Sequence, residues 1–312
     1  MSTQPSGNPT PPDKHDLNGV ARPQVVAILA CHNRRQTTVG CLKSLRTAES
    51  HAIKRFGELK LSVVVVDDGS TDGSAEAINE VWPEATVVSG DGSLFWAGGM
   101  SLAEAEARRE HPDLTHLLWL NDDTDMLPEF LTELLSSSAR NPRAIITSAV
   151  SDVTSGEIIY SGIRCHRWHP GRNMKVPPNG REQCVDTMNG NIVLVPAEIV
   201  AALGGIDHAF GHSAADYDYG RRASALGYEI RLLGKAGGRG SPNPPSDADG
   251  FRERWKELIS IKGIPFGVHA RYVRRHGGVG WPILAVSPYI VFMMRELMLS
   301  FHRLLRRVKS RT

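Results

Sequence analysis

The stretch from His116 to Pro128, HLLWLNDDTDMLP, limits the possible fold of this chain more than any other. It begins with a short apolar run that stops at Asn121, and such a run is typical of a strand buried on both faces, as in a parallel sheet. Asp122, Asp123 and Asp125 follow it. Because open α/β sheets bind ligands at the carboxyl ends of their strands, this cluster predicts a ligand site. An alternative is that the acids only cap the next helix.

Units of the same kind precede this stretch. Apolar runs at 24–30 and 61–66 end in the polar segments CHNRRQ and DDGSTDGS, and a helical pattern follows each of them. Strand, polar turn and helix form the βα unit of nucleotide-binding α/β folds. Another helix is predicted to open near Gly98, where a glycine lets a ligand or another backbone approach closely. We therefore predict a Rossmann-like, mostly parallel sheet flanked by helices.

The second half of the chain is less regular. Residues 151–183 predict a long irregular segment that lines or covers a site. Residues 185–196 predict a strand pair or a bent strand, 216–226 a helix and 228–233 a strand. Residues 234–250 predict a loop, because they are rich in glycine and proline and have no periodicity.

Composition divides the chain into three parts. Residues 1–22 are rich in Pro, Ser, Gly and Asn and predict a disordered tail, and residues 23–240 are predicted to form the α/β domain. Residues 251–312 predict a helical extension with thirteen Lys or Arg against three acidic residues. Such a basic end indicates an anionic partner, either lipid head groups or a phosphorylated substrate. Nucleic acid is not expected, because long aliphatic runs separate the basic residues.

One apolar segment of the C-terminal extension indicates where in the cell the protein is located. The segment from Trp281 to Met294 has fourteen residues and is interrupted by Pro288, which is too short for a membrane span. It predicts a helix that lies on an anionic membrane surface. The four cysteines show no CxxC spacing and predict reduced thiols. We therefore expect a cytoplasmic protein, peripheral on the inner face of the cytoplasmic membrane.

An ordered set of motifs runs through residues 24–232: VVAILACHNR, VVVVDDGSTDGS, WAGGM, WLNDDTDMLP, GGIDHAFG and ADYDYGRRASALGY. Together they resemble the family 2 glycosyltransferases, which have the GT-A fold, and in particular bacterial rhamnosyltransferase-like members. The resemblance implies inverting transfer of a sugar from a nucleoside diphosphate sugar, here dTDP-rhamnose or a UDP-sugar. It also implies a divalent cation, Mg²⁺ or Mn²⁺, and a glycan or lipid-linked acceptor in polysaccharide synthesis.

The acid cluster has a physical role in such a reaction. A metal ion held by one or two carboxylates neutralises the charge that develops on a diphosphate leaving group. In the family's metal motif, two acids flank one residue at a fixed distance before a proline. When that proline is aligned with Pro128, the three positions fall on Asn121, Asp122 and Asp123, so Asn121 replaces the first acid. The resemblance therefore implies Asp123 as the main metal ligand, which either holds the metal largely alone or is helped by Asp122 or Asp125.

The same resemblance assigns residues to the nucleotide. Asp68 is implied to accept a hydrogen bond from the base and Asp67 to orient it, while Asn33 and Arg34 would lie near the phosphates. Asp122 and Gly98 are further candidates for the nucleotide site. The alternative is that the two acids after the second strand form only a turn and a helix cap.

Inverting transfer also needs a general base to remove the proton of the acceptor hydroxyl. The family's acidic motif aligns on Ala215, Asp216, Tyr217 and Asp218, and Asp216 matches the base. Ala215 replaces the usual Glu and so removes a like charge from beside the base. Asp218 is expected to be structural, paired with Arg221 or Arg222.

Other candidates are assigned to the sugars and the phosphates. Trp96 is expected to stack on a sugar or nucleotide ring, or else to be core. By the resemblance, Asn189 would form a hydrogen bond with a sugar hydroxyl. His212 lies four residues before Asp216 and is expected to reach substrate or metal, unless it is structural. Many GT-A enzymes have a metal-binding His after the last strand, where this chain has Lys235 and Arg239. Cations there would neutralise phosphate directly.

Two other functions stay open. A sugar nucleotidyltransferase also uses an α/β sheet and carboxylate-bound Mg²⁺, but the segment CHNRRQ after the first strand has no glycine for its phosphate loop. A non-catalytic nucleotide-sugar-binding protein is made more credible by Asn121 and Ala215.

Overall fold

The computed structural model describes residues 23–166, 169–242, 244 and 246–309, so the tail predicted at 1–22 lies outside the described residues. The strands in chain order are β1 (Gln24–Cys31), β2 (Lys60–Asp67), β3 (Thr86–Ser89), β4 (His116–Leu120), β5 (Asp125–Met126), β6 (Ala144–Asp152), β7 (Ile158–Tyr160), β8 (Gly162–His166), β9 (His169–Val176), β10 (Gln183–Val185), β11 (Thr187–Met188), β12 (Ile192–Pro196) and β13 (Glu229–Gly240).

The helices in chain order are α1 (Arg35–Phe56), α2 (Ser74–Val81), α3 (Phe95–Glu110), α4 (Phe130–Arg140), α5 (Ala197–Leu203), α6 (Ala215–Ala225), α7 (Phe251–Ile259), α8 (Phe266–His276) and α9 (Trp281–Lys309). Single 3₁₀ turns lie at His208–Phe210 and Gly278–Gly280. The predicted alternation of strands and helices is confirmed.

The main sheet has the order β10-β13-β6-β12-β4-β1-β2-β3, with β5 and β7 paired to β13 and β6. Strands β4, β1, β2 and β3 are parallel to one another, and β12 inserts antiparallel between β4 and β6. The register sets Cys31 opposite Asp67. The carboxyl ends of β1, β2 and β4 therefore meet at one edge, as the sequence predicted.

Strand β4 is buried on both faces, as its continuous apolar sequence predicts. Leu117 and Trp119 lie in a core cluster with α3, α5, α6 and α8. Leu118 and Leu120 point the other way, into a cluster with α1, α2 and α4. All four side chains are fully buried, and this alternation with a period of two fixes the direction in which Asn121 and the acids leave the strand.

Residues 151–183 were wrongly predicted to be irregular. They contain β7, β8 and β9, and β8 pairs antiparallel with both β9 and β11 in a separate three-stranded sheet. The Pro, Gly and Arg residues hid the strands because much of β9 is exposed, with Met174 59% exposed. It therefore lacks the apolar alternation of a half-buried strand.

The loop predicted from residue 234 is also wrong in its first part, because β13 continues to Gly240. A side chain at Gly237 would collide with the Phe130 ring, and a Cβ at Gly238 would lie 2.7 Å from Ile192 Cδ1. These glycines allow close packing of β13 rather than a turn. As a result, Arg239 pairs in register with Asp125.

Helix α9 corrects the prediction that the C-terminal apolar segment is too short. Helix α9 runs through Pro288, and the segment Gly278–His302, which includes the preceding 3₁₀ turn, is long and apolar enough to cross a membrane by length and composition. Glu296 interrupts this segment, but its carboxylate forms two hydrogen bonds with Arg254 at 2.9 and 2.7 Å. Only 11% of the apolar window is buried inside the protein.

Candidate active site

Asp68 holds the backbone that leads into α3. Its buried carboxylate accepts hydrogen bonds from the backbone N–H groups of Gly92, Leu94 and Phe95 at 2.8, 3.0 and 3.0 Å. These bonds satisfy donors at the start of the helix and hold Phe95 at a φ of 53°. The predicted bond to a nucleotide base stays a prediction. A carboxylate has about four acceptor positions, so Asp68 keeps capacity beyond these three contacts.

The turns after β1 and β2 are held together by side chains. The Asn33 amide oxygen accepts the Thr71 N–H at 2.8 Å, and the Asn33 N–H donates to the Ser70 hydroxyl at 2.8 Å. Asp67 accepts the Ser70 N–H at 3.0 Å. Asn33 and Asp67 therefore shape the same edge of the sheet, and their contacts with a nucleotide stay predictions.

Arg34 bridges the two central acids of the cluster. Its Nη1 donates to Asp122 Oδ1 at 3.0 Å and to Asp123 Oδ2 at 2.7 Å. Burial raises the pKa of Asp122 to about 6, while the positive charge of Arg34 opposes that rise. Asp125 lies further out, where partial desolvation raises its pKa. A basic side chain thus lies on the predicted metal motif.

Trp96 links the acid cluster to the base candidate. Its indole N–H donates to Asn121 Oδ1 at 2.8 Å, and its ring makes an edge contact with Trp119 at 6.2 Å between centroids. A Cβ added to Gly190 would lie 2.5 Å from the Trp96 ring. Trp96 is therefore partly core. Asn121, which replaces an acid, has its side-chain oxygen engaged by the indole.

Asp216 lies in the first turn of α6, on the other side of Gly190. Its Oδ2 accepts the Gly190 N–H at 3.0 Å and its Oδ1 accepts the Tyr217 N–H at 2.8 Å. Burial raises its pKa to about 6, and these two backbone bonds act in the opposite direction. Asn189 lies beside it and donates to the Tyr217 hydroxyl at 3.3 Å. The carboxylate is thus held in one orientation.

Asp218 is structural, as predicted. Its fully buried carboxylate accepts from Arg222 Nε at 2.8 Å and from Arg275 Nη1 at 2.7 Å, and His276 Nε2 lies 2.9 Å away. These hydrogen bonds hold the pKa of Asp218 below its ordinary value against the opposing effect of burial. Because Arg275 and His276 belong to α8, Asp218 fastens the C-terminal region to the helix that carries Asp216.

The structure brings most of the predicted site residues to one edge. A cleft of about 860 Å³ is lined by Asn33, Arg34, Asp123 and Asp125 and continues to residues 240–242 and 244. Arg239 is exposed beside this cleft through its pairing with Asp125.

Gly98, His212 and Lys235 are not among the residues that line this cleft. Gly98 is buried, and a Cβ there would meet the Leu94 side chain at 3.1 Å. His212 lies where partial desolvation, Lys262 and Arg34 all lower its pKa. Lys235 is four residues before Arg239 on β13, and its carbonyl accepts from the Ser148 hydroxyl at 3.3 Å.

Comparison with protein families decides the identity of this arrangement. Residues 26–192 match the model of glycosyl transferase family 2, and residues 116–305 match the model of glycosyl transferase family group 2. The chain belongs to glycosyl transferase family 2. A search of curated proteins found no match.

Solved structures show which fold this family 2 chain has. GalNAc-T7 with UDP, GalNAc and Mn²⁺ is similar with a TM-score of 0.55 and 12% identity, over 83% of this chain and 52% of that chain. S. aureus TarS 1–349 is similar with a TM-score of 0.51 in complexes with UDP and with UDP-GlcNAc, at 15% and 14% identity. These two matches cover 83% and 82% of this chain and 75% and 73% of TarS 1–349. Such likeness shows the fold alone, and the predicted GT-A fold is confirmed. The chain spans about half the length of the GalNAc-T7 chain.

Within the described residues, the side chains around Asp123 offer too few ligands to enclose a metal ion. The described part of the chain contains no group of three or more His, Cys, Asp or Glu side chains that could hold a metal ion. Mg²⁺ in phosphate-handling sites is often bound by one or two carboxylates together with the phosphates of the substrate. The Asp123 carboxylate is 31% exposed and lines the cleft. These residues fit a metal that binds together with a diphosphate, not a closed protein site.

Sequence reasoning missed the roles of Gly190 and Tyr217. Gly190 lies between the Trp96 ring and Asp216, with almost no room for a side chain. The available signal was the glycine in NGN between two strands, where glycine marks a close approach of neighbouring groups. Tyr217 showed no comparable signal, because an aromatic residue on a helix is more often core.

Proposed function

We propose that this protein is an inverting glycosyltransferase that uses Asp216 as its general base. It transfers a sugar from a nucleoside diphosphate sugar, dTDP-rhamnose or a UDP-sugar, to a hydroxyl of a glycan or lipid-linked acceptor in cell-surface polysaccharide synthesis. The observation that carries the proposal is the placement of Asp216, which is held by two backbone N–H groups.

Asp216 suits the chemistry of a base. A pKa of about 6 leaves it ionised at neutral pH while making it more basic than an ordinary Asp. Each of its oxygens accepts one backbone hydrogen bond and keeps a lone pair for the acceptor hydroxyl. The hydroxyl would give its proton to Asp216 as its oxygen attacks the anomeric carbon, and the bond from that carbon to the diphosphate would break.

The leaving diphosphate would bind at the acid edge, the part of the sheet edge that carries Asp122, Asp123 and Asp125. A divalent cation, Mg²⁺ or Mn²⁺, bound with the diphosphate would supply charge neutralisation there, with Asp123 as its main protein ligand. Arg34 Nη1 lies 2.7 Å from the Asp123 carboxylate. It would turn from the acids to the phosphates as the donor binds. The similar structures named above contain UDP or UDP-GlcNAc, which supports this class of donor.

The acceptor side of the proposal rests on the C-terminal region. Its basic residues and the exposed apolar surface of α9 favour an anionic membrane surface. We place the enzyme on the inner face of the cytoplasmic membrane, where lipid-linked acceptors would reach it. Arg303, Arg306, Arg307, Lys309 and Arg311 make the C-terminal end of the sequence cationic.

The experiment is a donor screen with the purified full chain and Mn²⁺. Thermal shift is measured with dTDP-rhamnose and a panel of UDP-sugars, followed by donor hydrolysis for every sugar that raises the melting temperature. We expect one donor to bind and to be slowly hydrolysed without acceptor. If one binds but is never turned over with any acceptor, the protein is a nucleotide-sugar-binding protein. If no donor binds, the proposal fails.

A further inference from the structure

A second cavity, of about 540 Å³, lies behind the base candidate. Ser213, Ala214 and Tyr217 form one wall, so the wall includes residues on both sides of Asp216 in the sequence. Helices α8 and α9 form the opposite wall, and β9 contributes a third side. The cavity thus lies between the α6 helix that carries the base and the C-terminal helices.

The walls of this cavity combine apolar and polar groups. Val268, Pro288 and Val291 supply apolar surface, and Arg172 supplies an exposed cation. Asn173 and Tyr272 also line the cavity. Among the described residues that line the cavity, Asn173 Oδ1 is buried without a hydrogen-bond partner. An unpaired buried polar atom is unfavourable, so a ligand hydroxyl that reaches this oxygen would bind favourably.

The cavity is connected to the base through Tyr217. The Tyr217 hydroxyl accepts from Asn189 Nδ2 at 3.3 Å, and its backbone N–H donates to Asp216 Oδ1 at 2.8 Å. Burial raises the pKa of Tyr217 to about 12, so its hydroxyl remains protonated. A molecule lying against Tyr217 is therefore one side chain away from the carboxylate.

At its outer end the cavity continues onto an exposed apolar face of α9. Val291, Met294 and Met298 follow one another at intervals of three and four residues and so share one helix face. They are 64%, 58% and 58% exposed. A soluble sugar would not bind such an apolar face, whereas a lipid chain that extends out of the cavity would cover it.

We propose that this cavity binds the acceptor, and that the acceptor is a glycan joined through an anionic group to a lipid chain. The inference rests on the proposed glycosyltransferase function. The glycan faces Tyr217 and presents its hydroxyl to Asp216, the anionic linkage faces Arg172, and the lipid chain follows the Val291 face of α9. The hydroxyl loses its proton to Asp216 and forms the new bond to the sugar, and the nucleoside diphosphate leaves.

The test fills the outer end of the cavity. Val291→Trp places a large side chain at the point where the lipid chain would leave, and Val286→Trp makes the same change on α9 at a residue that does not line the cavity. The probe is a panel of monosaccharides joined by diphosphate to a long alkyl chain, each also supplied without the chain. We expect Val291→Trp to raise KM for the lipid-linked probe by about tenfold or more. Val286→Trp should change it by less than about twofold.

Two readouts separate the possible failures. Donor hydrolysis without acceptor should be unchanged in the control Val286→Trp, because this residue lines neither the cavity nor the cleft with the acids. If the wild-type protein neither binds nor hydrolyses a donor, the proposed function fails. If donor turnover is normal but the lipid chain gives no advantage, or Val286→Trp acts as strongly as Val291→Trp, the acceptor cavity is refuted.

Direct mapping provides a second measurement that does not depend on mutations. A lipid-linked probe with a diazirine in its alkyl chain is irradiated with the full chain in detergent, and the labelled peptides are identified by mass spectrometry. We expect labelling within residues 263–298, which include the Val291, Met294 and Met298 face. Labelling confined to other parts of the chain, such as residues 24–150, would overturn the proposal.

Discussion

Arg34 Nη1 lies 2.7 Å from Asp123 Oδ2, so a cation of the chain itself neutralises the acid that is proposed to hold the metal. The same nitrogen lies 3.0 Å from Asp122 Oδ1. Charge-assisted contacts of this length compete directly with a metal ion for the carboxylate oxygens. Either Arg34 or a metal ion can therefore neutralise the acid edge. A bound diphosphate would attract Arg34 and leave the carboxylates to the metal ion.

Removing this competitor should strengthen metal binding in the absence of donor. For Arg34→Gln we expect Mn²⁺ affinity, measured by electron paramagnetic resonance without nucleotide, to rise by about three- to tenfold. Binding of the nucleoside diphosphate itself should weaken, because one phosphate partner is lost. Arg109→Gln on the far end of α3 is the control and should change neither quantity. Unchanged Mn²⁺ affinity in Arg34→Gln would contradict this account.

The pKa of Asp216 sets the pH dependence of transfer. Burial raises this pKa to about 6, so the fraction of ionised base, and with it kcat/KM, should increase as pH rises through about 6 and then level off. The measurement is kcat/KM for transfer between pH 5 and pH 8, within the range in which the protein remains folded. A profile that is flat or falls across this range would exclude Asp216 as the base.

Gly190 separates the Trp96 ring from Asp216, and a side chain has almost no room there. A Cβ would lie 2.5 Å from Trp96 Cζ2, so Gly190→Ala must move the indole or the Asp216 segment. We expect a loss of about tenfold or more in kcat and a destabilisation of about 1–3 kcal/mol. Gly267→Ala on α8, where a Cβ meets nothing within 4 Å, is the matched control. Full activity of Gly190→Ala would show that the geometry of Trp96 is unimportant.

Glu104 provides a test of burial that is independent of activity. Burial raises its pKa to about 7 from an ordinary value of 4.5. Below pH 4.5 both the folded and the unfolded state keep the proton. As pH rises toward 7 the unfolded state ionises first, and the folded state loses stability on the order of 3 kcal/mol.

Glu104→Gln removes this loss because glutamine does not titrate. We expect its free energy of unfolding, relative to wild type, to increase between pH 5 and pH 8 in urea denaturation experiments. The exposed control Glu80→Gln should show a constant difference. A difference for Glu104→Gln that does not change with pH would mean that Glu104 ionises normally in the folded protein.

Membrane association should depend on the basic end of α9. The full chain should float with vesicles that contain anionic lipid and not with neutral vesicles, and salt should weaken the interaction. Replacing Arg303, Arg306, Arg307, Lys309 and Arg311 by Gln should release the protein. Equal flotation with neutral vesicles would indicate instead that the apolar surface of α9 inserts on its own.

The sequence predicted the sheet and its functional edge because strong local signals agree with the tertiary structure. The run HLLWL has apolar residues facing both ways, and only a central strand buries both faces. The polar residues at its end then had to lie beside those that follow β1 and β2. The contact of Arg34 with Asp123 was not predictable, because it depends on the rotamer of a long side chain that crosses between two turns.

The errors came from positions where glycine and proline have more than one meaning. Gly237 and Gly238 suggested a loop, yet they let β13 pack against Phe130 and Ile192. Pro288 suggested a break, yet α9 continues through it. In both cases the tertiary neighbours decide the local structure, and a single sequence does not reveal them.

The central claim, that Asp216 takes the proton of the acceptor, is tested most directly by turnover of Asp216→Asn at saturating donor. Asn is nearly the same size, and its one oxygen can accept from only one of the two backbone N–H groups, so a moderate loss of stability is expected; donor affinity should remain within about twofold while transfer falls by about a hundredfold or more. Asp113→Asn at the opposite edge of the sheet should behave as wild type. Transfer by Asp216→Asn at the wild-type rate would contradict the account.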